Sequence, residues 1–201
     1  MALASNPFGF RPKAHSLGGV IRMTQNYRIA SALAANIFTG DLVKSTGTTN
    51  RITPAAAGDT ILGIFWGCTY TGTDGTFKFA RYWPTGTALL ANTECVANVY
   101  DDPALIYETM MSTSAAADLA DVCNLNAGAG GNTTTGLSGE YVDQVNNGAS
   151  TQFKFYNFNK IYPQFNSTGG YELVALGSNA LVELRPMKHE LGGTGFGVAV
   201  A

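Results

Sequence analysis

Charge is what this sequence has least of. Asp, Glu, Lys and Arg make up 13% of its residues, about half of the usual share near 25%. The polar surface must therefore be built from Thr, Ser, Asn, Gln and backbone, as in Ser45-Thr46-Gly47-Thr48-Thr49-Asn50 and Gly131-Asn132-Thr133-Thr134-Thr135-Gly136. A net charge of −2 and an isoelectric point near 5.6 offer no clustered basic surface, so no nucleic-acid partner is expected. Little charge also leaves little to keep free monomers apart. The composition reads as a β-rich part of a larger assembly.

Histidine is nearly missing: His15 and His189 stand near opposite ends of the sequence, with no second histidine at metal-ligand spacing. Cys68, Cys95 and Cys123 are odd in number, far apart and free of any Cys-x-x-Cys pair, so small buried hydrophobes are expected, not a metal or redox site. No Gly-x-Ser-x-Gly elbow frames a serine. Asp101-Asp102 before Pro103, and Thr73-Asp74-Gly75, are expected as turns whose carboxylates bond their own backbone. Neither has the alternating oxygen ligands of a calcium loop. Gly128-Ala129-Gly130-Gly131 lacks the Lys-Ser/Thr of a phosphate loop, and the Asn132-Thr133-Thr134 and Asn166-Ser167-Thr168 triplets are expected as polar turns. No enzyme activity, cofactor or metal is expected. No run of about eighteen apolar residues occurs, so no membrane-spanning helix is expected. Residues 1–7 lack the basic start and apolar run of a signal peptide, which points to synthesis in a cytoplasm.

What the sequence does have is a hydrophobic share of 45%, 11% aromatics and 24 glycines. That is enough for a packed core with many turns. The predicted fold is mainly β: an antiparallel barrel or sandwich-like core with one short helix and extended terminal arms. The division is an extended arm over 1–22, a β-rich core over 23–190 with a long loop at 126–139, and a Gly-rich tail over 191–201. Pro7 and Pro12 push the first segment extended. Its Phe8 and Phe10 need cover, either from the arm's own domain or from a neighbouring subunit. Strands are predicted over 22–29, 36–44, 60–67, 77–82, 94–100, 104–111, 152–161, 171–176 and 180–187. The 60–67 run is apolar enough to be buried on both faces. Asp74-Gly75 predicts a type I′ hairpin, and Asp101-Asp102-Pro103 a second hairpin. Residues 114–122 predict the helix, with Ser114 as its N-cap. Phe153, Phe155 and Phe158 beside Lys154 and Lys160 fit a half-buried strand better than a base-stacking sheet.

Several segments, taken in order, resemble the decoration or cement proteins of tailed, often short-tailed, bacteriophage heads. They are Asn6-Pro7-Phe8-Gly9-Phe10-Arg11-Pro12, Thr39-Gly40-Asp41-Leu42-Val43-Lys44, Ala56-Ala57-Gly58-Asp59-Thr60-Ile61-Leu62-Gly63-Ile64 and Asp101-Asp102-Pro103 followed by Ile106-Tyr107-Glu108. Thr133-Thr134-Thr135-Gly136-Leu137-Ser138-Gly139 and Tyr171-Glu172-Leu173-Val174 complete the order. The resemblance implies a mainly β virion protein on the outer surface of an icosahedral shell. It would bridge the major capsid protein, as a homotrimer or a dimer, and carry out no reaction. The contacts then expected are Phe8 and Phe10 as apolar anchors, Pro7 and Pro12 limiting the arm's freedom, Arg11 as a hydrogen-bonding anchor, and the Asn132, Thr133 and Thr134 tip. Deleting residues up to Lys13 is expected to weaken binding and leave the core folded. The alternative is a receptor- or glycan-binding β module of a tail or adhesin that uses Tyr82 and Trp83. The aromatic strand near Phe153 and the segment beyond Leu191 depart from the family's pattern.

Overall fold

A computed structural model describes residues 7–47, 49–111, 122–126, 130–143, 151–158, 163–165, 171–173 and 180–192. Fourteen strands lie within them. They are β1 (Arg11–His15), β2 (Thr24–Ile29), β3 (Leu42–Ser45), β4 (Ile52–Pro54), β5 (Gly63–Thr71), β6 (Phe77–Ala80) and β7 (Cys95–Tyr100). After these come β8 (Leu105–Met111), β9 (Val122–Asn126), β10 (Tyr141–Asp143), β11 (Phe153–Phe158), β12 (Pro163–Phe165), β13 (Tyr171–Leu173) and β14 (Ala180–Pro186).

The fold is mainly β, as expected. Strands β8, β10, β9, β11 and β14 pair in that order, and β14 returns to β8, closing a five-stranded barrel. β1 runs along the other edge of β8, with Arg11 opposite Glu108 and His15 opposite Leu105. A second sheet has the order β2-β7-β5-β3-β4, with β6 on β5. It curls far enough for Arg28 to bridge Arg51, the residue before β4. β12 and β13 form a separate ribbon. The whole of β2–β7 is thus inserted between β1 and β8, two strands that pair with each other.

Two cores result. One fills the barrel with Tyr107, Met111, Cys123, Leu125, Phe153, Phe155, Val182 and Leu184, and reaches out to Leu42 and Ile64. The other lies under the second sheet around Val43, Phe65, Cys68, Trp83, Cys95, Ala97 and Val99. Consecutive residues of β3 (Leu42, Val43) and β5 (Ile64, Phe65) point into different cores, because strand side chains alternate. These strands are the shared wall, and their place between two cores explains the doubly buried apolar run read from residues 60–67. β7 is wetter on one side: Cys95, Ala97 and Val99 are buried, while Val96, Asn98 and Tyr100 are half-buried.

Four local expectations need correction or fall outside the described residues. Strands β7 and β8 do not pair as a hairpin. The Asp101-Asp102-Pro103 turn carries the chain from the inserted sheet into the barrel, where β8 finds β1 and β14. The Asp74-Gly75 hairpin exists, but only Gly75, at φ 76°, takes the left-handed conformation. Gly75 N–H bonds the Gly72 carbonyl at 2.9 Å and Gly72 N–H bonds Thr76 at 3.0 Å. That is a three-residue loop closing on a glycine, not type I′. The expected helix over 114–122 lies outside the described residues except for Val122, which opens β9. The tail beyond Gly192 lies outside them too.

Candidate functional site

Of the two covers open to the extended arm, its own domain or a neighbouring subunit, the first holds for Phe10. Phe10 is 0% exposed, stacked on Phe153 with ring centroids 5.4 Å apart and edge-on to Tyr107 at 6.4 Å. Its role as an anchor on another subunit is therefore corrected: the ring completes this chain's barrel core. Phe10 N–H bonds the Gly40 carbonyl at 2.8 Å, and Thr109 Oγ1 donates to the Gly9 carbonyl at 2.9 Å. Pro12 sits in β1 next to a register shift, which is where an edge strand tolerates a missing N–H. Phe8 and Pro7 stay half-buried and Arg11 is exposed. The Arg11 guanidinium lies 3.9 Å from the Phe8 ring centroid, a cation–π pair rather than a hydrogen-bonded one.

The Asn132–Thr134 tip, some 120 residues later in sequence, converges on the same place. Asn132 Oδ1 accepts the Thr134 and Thr135 amides at 2.8 and 3.1 Å, which shapes the exposed turn. Thr39 N–H then bonds the Gly136 carbonyl at 3.0 Å, and Ser138 N–H bonds Thr39 at 2.9 Å. Arm and tip thus flank one segment, Thr39-Gly40-Asp41. They touch at Gly9, where an added Cβ would lie 2.5 Å from the Ser138 Cβ. Gly9 also has φ +78°, so only glycine passes here without strain.

Beneath this face lies a buried acid pair that the sequence did not reveal. Asp41 and Glu140 are 5% and 6% exposed. Asp41 Oδ2 accepts the Phe38 amide at 2.7 Å, and Glu140 Oε2 accepts the Leu42 amide at 2.9 Å. Burial pushes the Asp41 carboxyl up to about 6, against hydrogen bonds from Ser138 and Phe38 that pull it down. Burial and then the Asp41 charge push Glu140 well above the usual carboxylate range. Each carboxyl caps a backbone amide, which is a structural use.

A second polar cluster gathers at the turn before β8. His15 Nε2 lies 3.1 Å from Asp102 Oδ2, while its Nδ1 accepts the Leu17 and Gly19 amides at 3.1 and 3.0 Å. With both nitrogens committed, this histidine has no lone pair left to take a proton from a serine. It ties together the two crossings between barrel and inserted sheet. Asp102 Oδ1 also accepts the Ala104 amide at 2.8 Å, the backbone-bonding turn expected from sequence. Asp101 Oδ2 accepts the Tyr27 hydroxyl at 2.8 Å, and burial with that contact raises the Tyr27 phenol. Among the described residues no group of three or more His, Cys, Asp or Glu is arranged to hold a metal ion.

The aromatics also sort differently from the glycan-binding alternative. Trp83 is 0% exposed, held by paired backbone bonds to Ile37 and edge-on to Tyr70 at 5.3 Å. Tyr82 stacks on Phe38 at 5.2 Å. Among the described residues the exposed aromatics are instead Tyr156 on β11, at 53%, and Phe77 and Phe79, at 59% and 81%, the last two in edge-to-face contact at 5.0 Å on β6. Phe153 and Phe155 are buried in the barrel, out of reach of any stacked base. All three cysteines are buried without disulfides, and Cys68 on β5 and Cys95 on β7, far apart in sequence, come close enough for the first thiol to push the second up. Comparison with family models, curated proteins and solved structures finds no match to this chain.

Proposed function

We propose that this protein is a structural component of a phage head, a cement protein that binds the outer surface of the shell through the major capsid protein and assembles with copies of itself. The observation that carries the reading is the composite face around Thr39-Gly40-Asp41. There a half-buried Phe8 under Arg11 and the exposed Asn132–Thr135 turn are held by backbone hydrogen bonds from three separate parts of the chain. A contact face fixed in advance loses little freedom on binding. The polar groups nearby are spent on capping amides, and the reading assigns them no reaction. The low charge fits a surface that is covered in an assembly. Binding several coat subunits that share one geometry shifts the shell toward that geometry by mass action, and oligomers add avidity. Trp83 is buried and Tyr82 is stacked on Phe38, so neither offers the free ring that the glycan reading needs, which favours a protein partner.

Truncation through Lys13 is a poor test of this reading, because it removes Phe10 from the barrel core. Phe10→Ala alone costs about 3–5 kcal/mol. The clean variants are Phe8→Ala with Arg11→Ala, and Asn132→Ala with Thr133→Ala and Thr134→Ala. Both sets are expected to keep the wild-type unfolding midpoint and to lose at least about tenfold in co-sedimentation with expanded heads. Wild-type protein that stays in the supernatant would overturn the proposal.

A further inference from the structure

The last described residues of the chain form a clasp. Met187 N–H bonds the Gln152 carbonyl at 2.7 Å. Ile61 N–H bonds the Lys188 carbonyl at 2.9 Å, and Glu190 N–H returns to the Ile61 carbonyl at 2.8 Å. The Glu190 carboxylate accepts the Ser45 amide at 2.7 Å. Residues 187–190 therefore lie across the barrel's β14 exit, the approach to β5 and the end of β3. At the centre is His189, 7% exposed. Its Nδ1 accepts the Leu191 amide at 3.2 Å, and its carbonyl accepts Gly192 N–H at 3.1 Å.

That geometry fixes the protonation state. Nδ1 offers a lone pair, so the single proton of the neutral ring sits on Nε2. Nε2 is buried and has no protein partner among the described residues. A second proton would have to enter at Nδ1. It would remove the acceptor from Leu191 and leave a cation in a buried position.

We propose that His189 is an acid-sensitive latch, its neutral ring holding residues 187–192 against the approach to β5 and its protonation freeing them. The charged groups that act on it are Asp101 and Asp102 on the turn before β8, and both favour the cation. Asp102 is already engaged by His15. Glu190 is turned to Ser45, and Lys188 Nζ reaches toward the Gly58 carbonyl at 3.4 Å. Burial outweighs the two carboxylates and brings the His189 ring down to about 4 from 6.5. An opened clasp therefore binds a proton where the closed one does not. Its stability is complete above pH 6.5, and it is lost as the pH falls through that value towards 4. The latch does not depend on the capsid reading.

Hydrogen exchange on the full chain tests it. After correction for intrinsic rates, the amides of Ile61, Glu190 and Gly192 should exchange on the order of 30-fold faster at pH 5 than at pH 7.5. Amides of β7 should not follow. In His189→Gln the acid acceleration should vanish. Equal acceleration in that variant, or none in the wild type, would overturn the latch. Should the variant fail to fold, imidazole NMR on the wild type decides, since only two histidines contribute. A midpoint for His189 near 4 supports the proposal, and one near the ordinary 6.5 sinks it.

Discussion

Asp41 and Glu140 look alike to any reading of the sequence, since each is one carboxylate among mostly uncharged neighbours. What sets them apart from Asp59 is position. Asp59 is half-exposed, with its carboxylate 2.7 Å from Lys44 Nζ, and that partner holds it below its usual range. Asp41 and Glu140 are buried together and shifted up. A carboxyl raised in the fold binds its proton more tightly there than in the unfolded chain. The linkage therefore stabilises below the ordinary range near 4, and this contribution is lost as the pH climbs through about 6 and beyond. Glu140→Gln keeps an oxygen for the Leu42 amide and removes the ionisation. It should unfold at a higher temperature than wild type at pH 8, by about 2–4 °C per kcal/mol recovered in a domain of this size, with a smaller gain at pH 5. Thermal melts at the two pH values check it, and a gain no larger at pH 8 than at pH 5 would remove the proton argument. The same scale explains the anchors. Phe8 and Phe10 are two residues apart on an extended segment, and which ring is buried depends on Tyr107 and Phe153, far away in sequence.

Among the strands, legibility followed length and alternation. β7 and β8 were readable because six or seven residues carry their pattern. β4 and β10, three residues each, are too short for any period to stand out and exist because longer neighbours pair with them. The prolines of β1 point to an extended arm, yet an edge position with a register shift accommodates Pro12 within a strand. The β7–β8 pairing failed for a different reason. A turn signal reports a change of direction, not which sheet the next strand joins. β6 shows that period-two alternation leaves the facing open. Phe77 and Phe79 alternate cleanly with half-buried Lys78 and Ala80, and it is the aromatics that face outward. Among the described residues β6 pairs only with β5, and the Lys78–Asp74 ion pair at 3.3 Å stands next to its edge, a guard against edge-to-edge association. Phe77→Ser with Phe79→Ser should leave the denaturation midpoint within about 1 kcal/mol of wild type, since both rings are largely solvated. The variant should also elute earlier from a phenyl matrix. A large stability loss would show that the rings are covered in the free protein.

Over the whole molecule, the inserted sheet and the barrel share a wall, and this decides how the protein comes apart. Each core alone would expose one face of β3 and β5: Leu42 and Ile64 if the barrel opened, Val43 and Phe65 if the sheet did. The insertion also leaves and re-enters between β1 and β8, which pair, with His15 and Asp102 joined across the two crossings. Neither unit can loosen without stripping apolar surface from the other, so a single cooperative transition is expected. The two interiors are not legible in the β-rich stretch over residues 23–190, because the apolar run at 60–67 carries no mark that its two faces serve different cores. The cysteines give the measurement. Cys123 lies in the barrel core and Cys68 and Cys95 in the sheet core, and the neighbouring Cys68 and then burial raise the Cys95 thiol and add to its protection. Pulse labelling with a thiol reagent across a urea series should find all three becoming reactive at one midpoint. Labelling of Cys68 and Cys95 at clearly lower urea than Cys123 would mean that the inserted sheet unfolds while the barrel stands, and that β3 and β5 do not bind the two cores into one.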